Sequence, residues 1–506
     1  MASTGGCFTL AFRWLAGIAA AVVLAAACSP SDTRPAQTLL VAGLTDAPPA
    51  IAVASPDVSS DPGPEPIIDP VETTPPEDPD PTGAPAFSTA ILPGTVDRAS
   101  LEISATYRVN ATITVKTGAL DVSTRIVATN MSGEGIDRLE LNTIAARLGG
   151  IRVISATVDD VPVKVAIKDQ TLIVPLGGIL PDGKAATVRL SYKATLQRGT
   201  ADGAWMFSRS GGTLALYRWI PWISSVEPFS RPNSGEPFVT PTSPRVDVEI
   251  LTDAPMVLAA PAAHVDAFAA GAGNDWSFFL ENVRDVSVIL APDFSVATGK
   301  VSGIPIRAYT RPGGLSGPKL VQQAVDAIGN AADLLGVAYP WTTLTVVETP
   351  GGVNLESPGL IWIPRHQDVS NRTYSLYHGV AHQWFYGLVG NNQRAEPFAD
   401  EAPSDLLART SLGTMRATRC ARAALDRSIA AYRGACYYEV VLVQGGRLLD
   451  DIRRRMGTNR FWAAMGSYLE TNRYGLGGTR KLLETLRAAS PVDLMPLIRP
   501  RFPNLY

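Results

Sequence analysis

Histidine is scarce in this chain of 506 residues: there are four, His264, His366, His378 and His382. Two of them stand four apart, and with so few present that spacing is hard to assign to chance. Charge is thin as well, at 18% of residues with a formal net of −3, so no basic surplus exists to neutralise phosphates and nothing argues for a nucleic-acid partner. Long apolar runs are missing beyond the amino terminus. The one found there, Leu15 to Ala27 behind Arg13, is too short and too alanine-rich for a spanning helix and reads as an export signal. A hydrophobic fraction of 46% is that of an ordinary globular protein with room for two or three domains.

The export signal admits two endings. Leu24-Ala25-Ala26-Ala27-Cys28 resembles a bacterial lipobox, in which Cys28 carries the lipid, although leucine stands four residues before the cysteine instead of three. Ordinary cleavage after Ala27 is the alternative. The first places the protein at the outer face of the bacterial cytoplasmic membrane through a lipid anchor; the second secretes it. From Ser29 onward proline and acidic residues dominate, as in Asp61-Pro62-Gly63-Pro64-Glu65-Pro66, and such composition cannot bury enough apolar surface to offset ordering entropy. Residues 1–28 are therefore read as signal and lipobox, and 29–97 as a stiff, extended tether.

Between about Ser100 and Thr310 the pattern is that of strands. Tyr107–Val115, Val122–Ala128, Thr171–Leu176, Ala186–Tyr192, Val246–Ile250 and Asp285–Leu290 alternate in polarity or are β-branched, with Gly, Asp and Asn between them. An antiparallel β-sandwich over 98–312 follows. The segment Tyr217-Arg218-Trp219-Ile220-Pro221-Trp222 is expected to pack between domains. After Pro312-Gly313-Gly314 the period turns helical, with an apolar stripe at Leu320, Ala324, Ala327, Ile328, Ala331 and Leu335 that Gly336 terminates. Thr343–Glu348 is a short strand, and the remainder to 506 is mostly helical. The fold class is thus α+β and multidomain.

The informative stretch is Tyr377 to Glu401, YHGVAHQWFYGLVGNNQRAEPFADE. Residues four apart share a helix face, so His378 and His382 can aim at one point, and Glu401 follows at the interval used when a third ligand comes from the next helix. Three such ligands and one open position suit a zinc ion. Taken alone, the histidine pair reads equally as solvated or capping residues on a surface helix.

The same residues resemble the HExxHQWW-YGLVGND … EPWLDE signature of bacterial membrane alanyl aminopeptidase-type gluzincins, which are zinc metallopeptidases. Leu355-Glu356-Ser357-Pro358-Gly359-Leu360 resembles that family's MEYPGL form, so the resemblance makes Glu356 the carboxylate that binds the free amino terminus of a peptide. It also implies an amino-terminal β-sandwich followed by a thermolysin-like, mostly α-helical catalytic-type domain over 313–506. By the same resemblance the chain is expected to end where longer relatives add a helical domain and so to lack one wall of their peptide tunnel.

Three positions depart from the family pattern. Gly379 occupies the place of the general-base glutamate. Leu442, in Leu442-Val443-Gln444-Gly445-Gly446, stands where the family has an oxyanion-stabilising tyrosine. Tyr437 and Tyr438 lie nearby and read as packing aromatics. Pro403 falls two residues after Glu401, where a proline interrupts helical bonding, so either the helix starts late or Glu401 is displaced. Asp405 is positioned either to bond the far nitrogen of a ligating histidine or to sit solvated on a helix face. Cys420 and Cys436 pair in an oxidising compartment or remain buried thiols; the candidate centre needs neither.

Three functions follow: a peptide- or protein-binding pseudo-peptidase that retains zinc, an active metallopeptidase with a non-standard base, or a structural lipoprotein with a decayed metal site.

Overall fold

The computed structural model describes residues 91–225, 239–432 and 436–506. The export signal, Cys28 and all but the end of the expected tether lie outside the described residues. From Ile91 onward the chain is attached: Leu92 exchanges backbone hydrogen bonds with Ile179, and the Asp137 carboxylate accepts from the backbone N–H groups of Val96, Asp97 and Arg98.

Long strands form where alternation is cleanest. In Ile103–Thr114 every second side chain is buried, the pattern of a strand with one face on a core. This strand lies inside an eight-stranded sheet, and a four-stranded sheet (Trp222–Ile223, Ile136–Asn142, Thr171–Leu180, Ala166–Lys168) and a five-stranded one make up the rest of the amino-terminal β region. The sheets are not purely antiparallel as the sequence suggests. Ile103–Thr114 pairs with Ser243–Thr252 in parallel, a geometry open to strands joined by a long connection, and residues 115–242 supply one.

A further five-stranded sheet carries the site. Its order across the sheet is Ser295–Val301, Ile304–Thr310, Leu344–Thr349, Leu360–Pro364 and, at the edge, Leu355–Ser357. Ile304–Thr310, Leu344–Thr349 and Leu360–Pro364 run parallel. The first two are joined through the helix Gly317–Leu335, closed by Gly336 at φ 64° in the left-handed region. The segment from Tyr217 to Trp222 is buried throughout, and Tyr217 meets Trp362 of this sheet edge-on at 5.7 Å between ring centres. Among the described residues no helix is long and apolar enough to cross a membrane.

Candidate metal centre

Two helices face each other across the site. The histidine helix, Val369–Ala381, begins at Asp368, whose carboxylate accepts from the Asn371 backbone N–H at 3.0 Å. By sequence Gly390 is well placed to end it, but it ends at His382. Beyond His382 the coil widens: Gly387, Leu388 and Val389 donate to carbonyls five residues back, and Tyr386 adopts a positive φ of 108°. Gly390 has a different reason to be glycine, since a Cβ there would lie 2.2 Å from the Arg284 guanidinium.

The second helix, Phe398–Leu412, begins before Glu401 and runs through Pro403. Neither alternative read from the sequence holds. The proline sits past the first turn, so only the Ala399 carbonyl loses its helical partner, and Glu401 stays in place.

The donors converge. His378 Nε2 and His382 Nε2 stand 2.9 Å apart, and Glu401 Oε2 lies 3.2 Å from the first and 3.7 Å from the second. Donors about 2.0–2.2 Å from one tetrahedral ion are roughly 3.3–3.6 Å from one another; the observed separations of 2.9, 3.2 and 3.7 Å fall on either side of that spacing, and shifts of a few tenths of an ångström bring all three donors onto a single ion. His382 Nδ1 lies 3.0 Å from the Phe385 carbonyl oxygen. A carbonyl only accepts, so Nδ1 carries the proton and Nε2 keeps its lone pair for the centre. Without a metal, burial pushes the Glu401 carboxyl up, but hydrogen bonds and positive charge from the two histidines in their protonated form outweigh it and hold the group well below the usual carboxylate range; a metal held at both Nε2 atoms takes the place of those protons.

Glu356 stands on the edge strand and is buried, with Oε1 3.7 Å from His382 Nε2. It is outside the set of His378, His382 and Glu401, whose donor atoms all lie within 4.8 Å of one another. Its carboxylate instead lines the adjoining cavity of about 240 Å³, together with Asn371, Asp400, Tyr437, Tyr438 and Leu442.

A Cβ on Gly379 would meet Ile361 Cγ2 at 2.9 Å, so the helix backbone is packed against the sheet where a glutamate side chain would have to begin. Leu442 lines the cavity with hydrocarbon. Tyr437, read from the sequence as packing, also lines it, and its hydroxyl donates to Glu401 Oε1 at 3.2 Å. The cause is a π-helical stretch, Tyr438–Gln444: bonding from i to i+5 widens the turn and brings Tyr437 and Leu442, five apart, to one face.

Asp405 takes neither role read for it. It is buried, accepts from the Tyr374 hydroxyl at 2.6 Å and from Arg409 Nε at 2.8 Å, and reaches the histidines only through Tyr374, whose ring stacks on His378 at 5.5 Å between centres. Cys420 and Cys436 are joined as a disulfide. Sequence reasoning also passed over Asp400, which accepts from Asn391 Nδ2 and Gln393 Nε2 at 3.0 Å each, while Gln393 Oε1 accepts from Arg218 at 3.0 Å. Adjacency of Asp400 to Glu401 was the available signal.

The sequence matches no protein-family model and no curated protein. The fold does have solved counterparts. An M1 zinc metallopeptidase from Deinococcus radiodurans superposes with a TM-score of 0.63 at 19% identity, covering 79% of this chain and 93% of that one. A mutant of it bound to a Tyr-Ser-Ala substrate gives 0.62 at 18%, covering 79% and 93%. A two-domain M1 zinc metallopeptidase mutant bound to L-tryptophan gives 0.63 at 18%, covering 81% and 96%. The chain thus has an M1 metallopeptidase-like fold, and His378, His382 and Glu401 form a group able to hold a metal ion.

Proposed function

We propose that this protein binds one zinc ion through His378, His382 and Glu401 and holds peptides, or a protein partner, by a free amino terminus at Glu356, with peptidase activity lost or strongly impaired. The observation that carries the reading is the meeting of three metal donors beside a Gly379 backbone closed against Ile361. Bound there, zinc supplies a Lewis acid and an open coordination position. Glu356 supplies negative charge for an ammonium group, and Leu442 has no proton to offer a developing oxyanion. A positioned general base contributes about 10²–10⁴ in rate and an oxyanion donor about 10²–10³, so the absence of both leaves little turnover. The altered site belongs, on this reading, to a two-part α+β protein with an amino-terminal β-sandwich and a thermolysin-like domain. A lipid on Cys28 and the acidic tether would hold it at the outer face of the cytoplasmic membrane, and ordinary signal cleavage would secrete it instead.

A second reading has its own observation. Glu356 Oε1 stands 3.7 Å from His382 Nε2, close enough to the open side of the donor set to serve as a substitute base in an active aminopeptidase.

Metal analysis and a substrate assay on the full chain separate these. We expect one zinc per chain, binding of a free-amine peptide that acetylation or Glu356→Gln abolishes, and no chelator-sensitive release of fluorophore from aminoacyl substrates. Chelator-sensitive hydrolysis lost in Glu356→Gln would favour the second reading, and a correctly folded chain that takes up no metal would defeat both.

A further inference from the structure

We propose that Tyr437 is a positioning residue for the metal donors, held in place by the Cys420–Cys436 disulfide. The inference rests on reading His378, His382 and Glu401 as those donors.

The two oxygens of Glu401 are divided between two tasks. Oε2 faces both histidine nitrogens, at 3.2 and 3.7 Å, and Oε1 accepts from the Tyr437 hydroxyl at 3.2 Å. A carboxylate with one oxygen engaged in this way is restrained in rotation, so its other oxygen stays turned toward the donor set. Outer partners of this kind typically matter 10–100-fold in metal affinity. The phenol thus acts on the metal set through Glu401, five residues before the position where the resemblance expects a tyrosine.

Tyr437 caps the π-helical stretch Tyr438–Gln444 and is restrained on both sides. Downstream of it, the Glu439 carboxylate accepts from Arg416 at 2.7 Å and from Arg419 at 2.9 Å. Immediately upstream, the disulfide ties Cys436 to Cys420, whose carbonyl accepts from Gln444 Nε2 at 3.0 Å. The covalent bond therefore joins the residue next to Tyr437 to a strand of chain that is itself bonded to the π-helical stretch. Lateral support comes from Tyr438, edge-on at 5.2 Å between ring centres. Removing the disulfide frees the upstream side of Tyr437 while the downstream ion pairs remain.

Zinc affinity of the full chain, measured by competition with a chromophoric chelator, tests this, with the visible spectrum of the cobalt-loaded protein as a second readout. Tyr437→Phe keeps the ring and removes only the hydroxyl. We expect it to weaken zinc roughly 10–100-fold and to shift the cobalt bands, with the metal-free unfolding midpoint little changed. The Cys420→Ser/Cys436→Ser variant should weaken zinc in the same direction, and adding Tyr437→Phe to it should weaken it little more, since both changes act through one contact. If the serine pair does not fold, Cys420→Ala/Cys436→Ala takes its place. Equal zinc affinity and an unchanged cobalt spectrum in Tyr437→Phe would overturn the role of the phenol, and additive losses would overturn the role of the disulfide. Failure of the unaltered chain to bind zinc is a separate result: it removes the donor reading itself and this inference with it.

Discussion

One wall of the cavity is built from regular elements, and the other from a chain that folds back on itself. The first consists of the histidine helix, the helix of Glu401 and the edge strand of Glu356, each fixed by ladder hydrogen bonds and a buried apolar face. The second comprises residues 413–432 and 436–444 and contains an irregular stretch, one disulfide and a π-helical turn. The metal donors stand on the first wall, whereas Leu442 and Tyr437 stand on the second. A donor set needs angular precision, which helices supply at low cost. The second wall reaches that set through the Tyr437 hydroxyl on Glu401, and its Leu442 lines the cavity with hydrocarbon. On the first wall, Gly379 lets the histidine helix pack its backbone directly against Ile361.

The largest expected effect breaks the regular wall from behind. Asp405 is buried against Arg409, and Asp405→Ala leaves that guanidinium without its carboxylate and Tyr374 without its acceptor. Stranding a buried charge costs about 3–5 kcal/mol, which denaturant unfolding of the metal-free chain would measure. A change below 1 kcal/mol would mean that Arg409 finds solvent and that this wall is looser than its hydrogen bonds imply. On the irregular wall, replacing Cys420 and Cys436 by serine releases a loop with a sequence separation of 16. Loop entropy alone suggests about 3 kcal/mol, and the retained pairs of Glu439 with Arg416 and Arg419 reduce it, so about 2 kcal/mol is expected, accompanied by faster proteolysis between Gly413 and Tyr432.

A smaller effect sharpens the reading of Gly379. Replacing glycine by glutamate gains up to about 1 kcal/mol of helix propensity, but contact with Ile361 brings an overpacking cost of about 1–3 kcal/mol. The net is a loss near 1 kcal/mol. Ile361→Ala should then cost about 1 kcal/mol less in the Gly379→Glu background than in the parent, because the two side chains compete for one space. Additive losses in thermal unfolding would show that the helix simply moves away from the sheet.

How much of this was legible follows from how local each determinant is. The i, i+4 histidines and the interval to Glu401 lie within 24 residues of one another by number, and helical geometry turns that spacing directly into proximity. The strands with clean alternation, Ile103–Thr114 among them, were legible for the same reason. The parallel pairing of that strand with Ser243–Thr252 was not, since nothing in either segment encodes a partner across such a separation. Tyr437 was missed because its direction depends on a π-helical turn, which has no sequence signature comparable to a cap. Of the partners of Asp405, Tyr374 was not legible because it lies on another helix, whereas Arg409 stands four residues on along the same one, a spacing that could have been read. Pro403 misled in the opposite sense: a local rule against interior proline was overridden by a helix buried on most of its faces.

The smallest effect is a pH dependence on the irregular wall. Glu439 is buried, and burial alone would raise its carboxyl; hydrogen bonds from the Arg419 side chain and backbone, with the charges of Arg416 and Arg419, prevail and lower it. A carboxyl lowered on folding adds stability that is fully present above its unfolded value, about 4.3, and lost as pH falls through its lower folded value. Glu439→Gln removes that contribution. The parent should therefore exceed the variant in unfolding midpoint at pH 6–7, and the gap should narrow as pH drops below about 4. Subtracting the two curves cancels other carboxylates, Glu401 included, that titrate in both proteins. A gap that stays constant with pH would mean that Glu439 holds Arg416 and Arg419 by shape and hydrogen bonding alone, and that charge contributes nothing to the irregular wall.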